Sequence, residues 1–417
     1  MASQRQGQSR KKALFACYGG GHVAMVIPVA RQLIARNWDV QILGLTTAGH
    51  RLAAEGLPTI GFADLQRDFG SARSLELGQS LVGDVSHPQI PLAESVAYMG
   101  LSYEELEDQL GQEQAVSEYR IKGRGAFFPL RTMKRWLEAQ VPDVFVATTS
   151  PRAERAGLVA ARELGIPAVA IVDFHRPPTP WLMAPENCGD RLCVFARDSH
   201  EYFVAHGRDI SDIQITGNPA FDTLANPTYR AQAAQLCKER GWKNSQLKIL
   251  WASQVEPAAH PITGDVGDPS LPVKIEQALL EMLPRHPNWQ LIVRPHPSEG
   301  RQLLNLPQQV HWSTQREPLH AVLYAVDVVV TAMSTVGLEA ALAGKPVISV
   351  DLSVMRPELP LSDMRISRGV RDWGALEQAL VDVEQGKHPL NPDLPSVGGA
   401  AERCCNVIDE LVSQAVR

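Results

Sequence analysis

The sequence predicts an α/β protein built of two similar-sized, doubly wound halves that face a cleft. Three observations predict it. Short apolar runs alternate with helical periods through most of the chain, the pattern of parallel sheets flanked by helices. A run of three glycines follows the first apolar strand and opens a helix. In the second half, one segment reads strand, Ser-Thr turn, helix, glycine stop and strand in direct succession. At 417 residues the chain is too long for one ordinary domain. With 44% hydrophobic and 21% charged residues it can bury full cores. A net charge of −6 argues against nucleic acid as its partner.

The first twelve residues are polar and basic, and no apolar stretch long enough for a signal peptide follows. They read as a disordered tail, 1–12, with a contact to anionic lipid as the alternative. No run of about 18 apolar residues occurs, so no membrane span is expected. The six cysteines, at 17, 188, 193, 237, 404 and 405, form neither a zinc pattern nor a disulfide framework. They point to a reducing cytoplasm, with Cys404 and Cys405 as helix packing residues.

The first half is expected to span 13–222. Ala13–Tyr18 is its first strand, Val23–Arg36 its first helix, and Val40–Leu45 the second strand. Later units are Val144–Ala147, a helix near Arg152–Leu164, and Ala168–Val172. Between 62 and 135 the pattern is less regular, and Tyr103–Asp108 reads as a solvated acidic helix face. The cluster around Gly217-Asn218-Pro219 reads as a turn at the domain boundary.

Gly19, Gly20 and Gly21 let a ligand or a chain segment come close to the backbone, and a helix N-terminus favours negative charge. They match neither the dinucleotide fingerprint nor a phosphate-binding loop with its Gly-Lys-Ser/Thr, and a tight strand–helix turn would also call for them. His22 is a general base, a phosphate or acceptor contact, or a helix cap.

The second half, 223–417 with its terminal helix, opens at Leu247–Ala252 and continues through Trp289–Val293, Val328–Thr331 and Pro346–Val350. Arg294 and His296 follow the second of these strands, at the sheet edge where ligands of open α/β sheets bind. Both can donate to phosphate oxygens, and Pro295 and Pro297 restrict the backbone around His296. Ser334 and Thr335 begin a helix whose free N–H groups and hydroxyls suit a phosphate, although a serine there is also an ordinary N-cap. Glu339 lies four residues after Thr335 on the same face and can accept from ribose hydroxyls. Gly337 leaves room for close approach. Ser253 and the turn at Pro318 lie at the same edge and are candidates for the nucleobase.

The span Asp327–Asp351 resembles the nucleotide-binding core of GT-B glycosyltransferases, and the glycine loop with His22 resembles that of the lipid II-building N-acetylglucosaminyltransferases. The resemblance implies two Rossmann-like domains. His296-Pro297 with Ser334-Thr335 is similar to the motifs with which bacterial sialyltransferases and capsule Kdo transferases hold the phosphate of a CMP-sugar. The acidic-acidic-glycine tripeptide that carries the sialyltransferase base does not occur here. Transferases that use CDP-glycerol carry a similar Arg-x-His-Pro segment. The non-hydrolysing UDP-N-acetylglucosamine 2-epimerases share the fold, but the aspartate of their Gly-Asp-Thr-Thr segment has no counterpart before Thr148-Thr149, and Asp173 stands where they carry an acidic residue.

The resemblance implies a glycosyltransferase. Its donor would be a nucleotide-activated sugar, with a CMP-activated acidic sugar favoured and a UDP-sugar open. The acceptor would be a glycan or a lipid-linked molecule, met in the cytoplasm or at the inner membrane face. Arg294, His296, Ser334 and Thr335 would stabilise the departing phosphate. The base would come from the first half: Asp173, His175 or His22, with Asp84 a further candidate. No Asp-x-Asp triplet occurs, so neither a metal nor any cofactor beyond the donor is expected. A 2-epimerase, a CDP-alcohol phosphotransferase and a silent nucleotide-binding module are the competing readings.

Overall fold

A computed structural model of the chain describes residues 10–83, 87–173, 188–261, 263–300, 306–388 and 393–415. It divides into two compact units, one ending at Ala220 and resumed at Gly399, the other spanning Phe221–Gly398.

The first unit opens with β1 (Lys12–Cys17), α1 (Gly21–Ala35), β2 (Asp39–Gly44), α2 (Ala48–Ala54) and β3 (Thr59–Ile60). Four helices follow, α3 (Phe62–Phe69), α4 (Ala72–Val82), α5 (Leu92–Leu110) and α6 (Gln112–Lys122), and then α7 (Leu130–Gln140). The alternation resumes with β4 (Val144–Ala147), α8 (Ala153–Glu163), β5 (Ala168–Ile171), β6 (Arg191–Val194), α9 (Arg197–Ala205) and β7 (Ile213–Ile215). Among the described residues the sheet order is β3-β2-β1-β4-β5-β6-β7, parallel throughout. Lys12, expected in the tail, is the first residue of β1 and is in register with Asp39.

β1 is apolar at every position after Lys12 because both faces of a central parallel strand are covered. Its side chains alternate: Ala13, Phe15 and Cys17 enter the core under α1, while Leu14 and Ala16 enter the core under α3, α7 and α8. The described residues of the irregular stretch 62–135 are mostly helical, and its acidic patch is not a solvated face. Glu105 is buried and accepts from the N–H groups of Arg131 and Thr132, both at 2.8 Å, in the first turn of α7. Burial raises its pKa, and these donors offset part of the cost. A buried carboxylate placed on orphan helix donors is not distinguishable by composition from a surface charge.

The second unit comprises α10 (Thr228–Arg240), β8 (Leu247–Ala252), α11 (Leu271–Met282), β9 (Trp289–Arg294), β10 (Val310–Trp312), α12 (Leu319–Ala325), β11 (Val328–Thr331), α13 (Thr335–Leu342), β12 (Val347–Val350), β13 (Arg368–Val370) and α14 (Trp373–Glu384). Its parallel sheet runs β10-β9-β8-β11-β12-β13.

The terminal helix α15 (Ala400–Ala415) corrects the sequence reading, which placed it in the second half. It packs in the first unit: Cys404, Cys405, Ile408 and Val412 join the core beneath α1. Arg36 pairs with Asp409 at 2.6 Å, and Arg403 donates to the Thr216 carbonyl at 2.7 Å. The amphipathic period of this helix shows that it needs an apolar partner but does not specify which sheet provides it.

Candidate functional site

In each unit the strand order reverses beside the first strand, between β1 and β4 and between β8 and β11. Loops leaving the C-terminal strand ends on either side of such a reversal diverge and open a crevice. The candidate residues that the structure describes lie at these two edges.

In the first unit each glycine after β1 answers a different demand. A side chain at Gly19 would collide with Thr47. Gly20 sits at φ 67°, a conformation that disfavours L side chains. Gly21 faces open space at the start of α1, where the helix presents its unpaired N–H groups. His22 follows with its ring partly exposed. Its Nδ1 lies 2.6 Å from Thr148 Oγ1, and its Nε2 lies 3.4 Å from Asp173 Oδ2. Thr148 leaves β4 and Asp173 leaves β5, so three neighbouring strand ends meet at one imidazole. Thr149 donates its hydroxyl to Asp173 Oδ1.

Beneath the imidazole lies Glu154, fully buried and unmarked in the sequence reading. It accepts from the Tyr18 N–H at 2.8 Å and the Ser150 N–H at 2.6 Å. Burial raises its pKa, and His22, these N–H groups and the Thr148 hydroxyl oppose the rise. With Thr148 donating to Glu154, its oxygen accepts from Nδ1–H of His22. That tautomer leaves the Nε2 lone pair facing Asp173. Asp173 faces the outer nitrogen directly, and Glu154 stands behind the inner one through Thr148. In the sequence Glu154 is a lone glutamate in the first turn of a helix after Thr-Thr-Ser, which no residue-type rule separates from a surface charge. His175 and Asp84 lie outside the described residues.

In the second unit His296 is exposed in the loop after β9, and its Nδ1 accepts the Ser298 N–H at 3.1 Å. This contact places the ring proton on Nε2, pointing a donor outward. The His296 N–H donates to Glu299 Oε2 at 2.7 Å, and Ser253 donates to Glu299 Oε1 at 3.1 Å. Ser253, the nucleobase candidate, is a buried brace of the histidine loop. Ser334 caps α13 and accepts from the Val336 N–H at 3.2 Å, and Thr335 beside it is exposed. The turn before them is held by Gln254, which accepts the Met333 N–H at 2.5 Å and donates to Glu256 at 3.2 Å. Gln254 and Glu256 escaped the sequence reading because their task is to hold a backbone.

Three further assignments change. Arg294 is buried, and its Nη1 donates to Ser313 Oγ at 3.0 Å, the Thr314 carbonyl at 3.2 Å and the Glu317 carbonyl at 2.9 Å. It fastens the loop after β10 and is not a free phosphate clamp. Gly337 faces the sheet. A methyl group there would lie 2.8 Å from Leu361 Cδ1 and 3.3 Å from Thr331 Cγ2, so its smallness serves helix packing and not ligand approach. Glu339 is nearly buried and holds His320 at 2.7 Å, a partner the sequence did not suggest. Pro318 stands at the N-cap of α12, exposed at the same edge. Among the described residues no group of three His, Cys, Asp or Glu side chains is placed to hold a metal ion, and no helix is long and apolar enough to cross a membrane.

No protein-family model matches the chain, and no curated protein does. Solved structures do. The UDP-GlcNAc 2-epimerase of Neisseria meningitidis bound to UDP-GlcNAc superposes with a TM-score of 0.58 at 12% identity, covering 96% of this chain and 100% of that one. Acinetobacter baumannii MurG gives 0.55 at 14%, over 96% and 100%. The glycotransferase of kitacinnamycin gives 0.53 at 16%, over 98% and 96%. Identities this low speak to the fold alone. The two doubly wound units of this chain, each gathering its polar side chains where the strand order reverses, are those of the GT-B fold.

Proposed function

We propose that this chain is a glycosyltransferase that moves a sugar from a nucleotide donor to an acceptor hydroxyl. The observation that carries the reading is His22, an imidazole with one nitrogen anchored through Thr148 to buried Glu154 and the other facing Asp173. In the reaction the acceptor oxygen bonds to the anomeric carbon while the bond from that carbon to the donor phosphate breaks. The acceptor proton goes to His22 Nε2, and the bonding pair leaves with the nucleotide. General-base assistance of this kind contributes roughly 10²–10⁴-fold. Within the second unit, the Nε2–H of His296 and the hydroxyl and N–H donors at Ser334 and Thr335 are the candidates for the donor phosphate. Glu339 is the ribose candidate, with His320 fixing its orientation.

For the donor, the His296-Pro297 and Ser334-Thr335 pairs favour CMP. Structures of similar fold bound to UDP or UDP-GlcNAc favour UDP. The second reading, a nucleotide-sugar 2-epimerase, is favoured by the likeness to several such enzymes and by Asp173.

The test is thermal stabilisation by CMP, CDP, UDP, GDP and TDP, with and without magnesium. A nucleotide at 100 times its dissociation constant stabilises by about 2.7 kcal/mol. A shift with a pyrimidine nucleotide that is lost in His296→Ala supports the donor site, and its base preference decides between CMP and UDP. Conversion of the donor sugar to its epimer without acceptor replaces the transferase reading with the epimerase one. No shift with any nucleotide sinks both.

A further inference from the structure

Beside the glycine loop of the first unit lies a small cavity of about 90 Å³. Tyr18, the last residue before the glycines, forms part of its wall, and its ring centroid is 6.4 Å from that of His22. Phe62 and Tyr98 meet edge to face at 5.0 Å on another side, and Met99 completes an apolar, ring-lined surface. Such walls favour a flat ligand body.

The charge on this cavity is one-sided. Arg152 lies over the Tyr18 ring at 5.0 Å, and Arg124 is exposed at the rim. Among the described residues neither forms an ion pair with a carboxylate. The one acidic residue of the lining, Glu94, is already engaged: it accepts from the N–H groups of Phe62 at 2.6 Å and Ala63 at 3.2 Å, capping α3. Burial also raises its pKa, weakening its charge further. Thr46 on the rim holds φ 55°, a left-handed conformation that is rare for a β-branched residue. Strain of this kind persists where the surrounding structure enforces it, and it clusters at ligand sites.

We infer that this cavity receives the acceptor, and that the acceptor is a hydroxylated ring compound bearing a carboxylate, held by Arg124 and Arg152 with its ring on Tyr18, Phe62 and Tyr98. The inference rests on the transferase reading of His22, because the neighbouring imidazole is what would take the hydroxyl proton. It departs from the glycan or lipid-linked acceptor that the sequence resemblance implies. Two unpaired guanidinium groups select an anion, and an aromatic lining selects a ring.

The experiment measures binding of 4-hydroxybenzoate and of its neutral analogue 4-hydroxybenzamide to the full chain by calorimetry and ligand-observed NMR. Nucleotide binding is measured on the same preparation. The carboxylate is expected to bind at least tenfold more tightly than the amide. The double variant Arg124→Gln/Arg152→Gln is expected to abolish that preference while leaving the nucleotide affinity within error. Equal binding of the two probes, an unchanged preference in the double variant, or no binding of either while nucleotide still binds overturns the inference and leaves the donor-site reading standing. Loss of nucleotide binding in the parent chain is the separate result that overturns the function.

Discussion

His22 Nε2 lies 3.4 Å from Asp173 Oδ2, joining the first residues of α1 to the end of β5. The imidazole thereby has a carboxylate on its outer nitrogen and, through Thr148, another behind its inner one. His22→Ala is expected to lower turnover by roughly 10²–10⁴-fold with the nucleotide dissociation constant unchanged. Asp173→Asn keeps the shape but not the charge and should lower turnover less. Steady-state rates with nucleotide titrations check both, and a His22→Ala enzyme of parental turnover would remove the imidazole from the mechanism.

Glu154 gives a pH prediction whose sign follows from its raised pKa. Folding favours its protonated form, so the stability it contributes is complete below its unfolded pKa and is lost as pH rises through its folded one. Glu154→Gln removes this dependence. Its amide can accept from only one of the Tyr18 and Ser150 N–H groups, at a pH-independent cost of about 1–3 kcal/mol. The variant should therefore be clearly less stable than the parent near pH 4.5 and close part of the gap by pH 8. Denaturation midpoints across that range test it, and a gap that widens with pH contradicts it.

The Ser298 N–H fixes the tautomer of His296. Proline has no N–H, so Ser298→Pro should weaken nucleotide binding several-fold although the histidine is untouched. His296→Ala should weaken it at least as much. Calorimetry on both variants would show whether the outward Nε2–H is the contact, and full affinity in both would exclude it.

Gly337 separates packing from ligand approach. Its contact with Leu361 predicts that Gly337→Ala destabilises the second unit by about 1–3 kcal/mol through overpacking. Nucleotide affinity measured well below the melting temperature should be unchanged. A stable variant with weakened nucleotide binding would return this glycine to the ligand site.

Arg294 anchors three acceptors of the loop that ends at Glu317. Arg294→Lys retains the charge but not the planar fork. A phosphate clamp would tolerate that change better than a loop brace does. The expected result is a loss of stability together with faster proteolysis of the loop after β10, and hydrogen exchange at 313–317 reads it directly.

Much of the architecture was legible in the chain. The buried parallel strands β1, β8, β9 and β11 read as continuous apolar runs, because a strand covered on both faces has no polar side to show. His22, His296, Ser334 and Thr335 were legible as candidates because loops at the C-terminal ends of such strands are where a doubly wound sheet exposes polar groups. The sequence did not distinguish a side chain left available at a strand end from one that braces the loop there. Arg294, Ser253 and Gly337 have the composition of a site and the contacts of a framework, whereas Glu154, Gln254 and His320 look ordinary and brace the candidate residues His22, Ser334 and Glu339. α15 shows the same limit at larger scale, since its apolar face required a partner and only packing chose the first unit. Local periodicity and turn chemistry act between neighbours in sequence, so the chain alone determined its strands, helices and exposed loop chemistry. Burial, hydrogen-bond partners and the meeting of His22 with Asp173 depend on residues far apart in sequence, and the tertiary structure decided them.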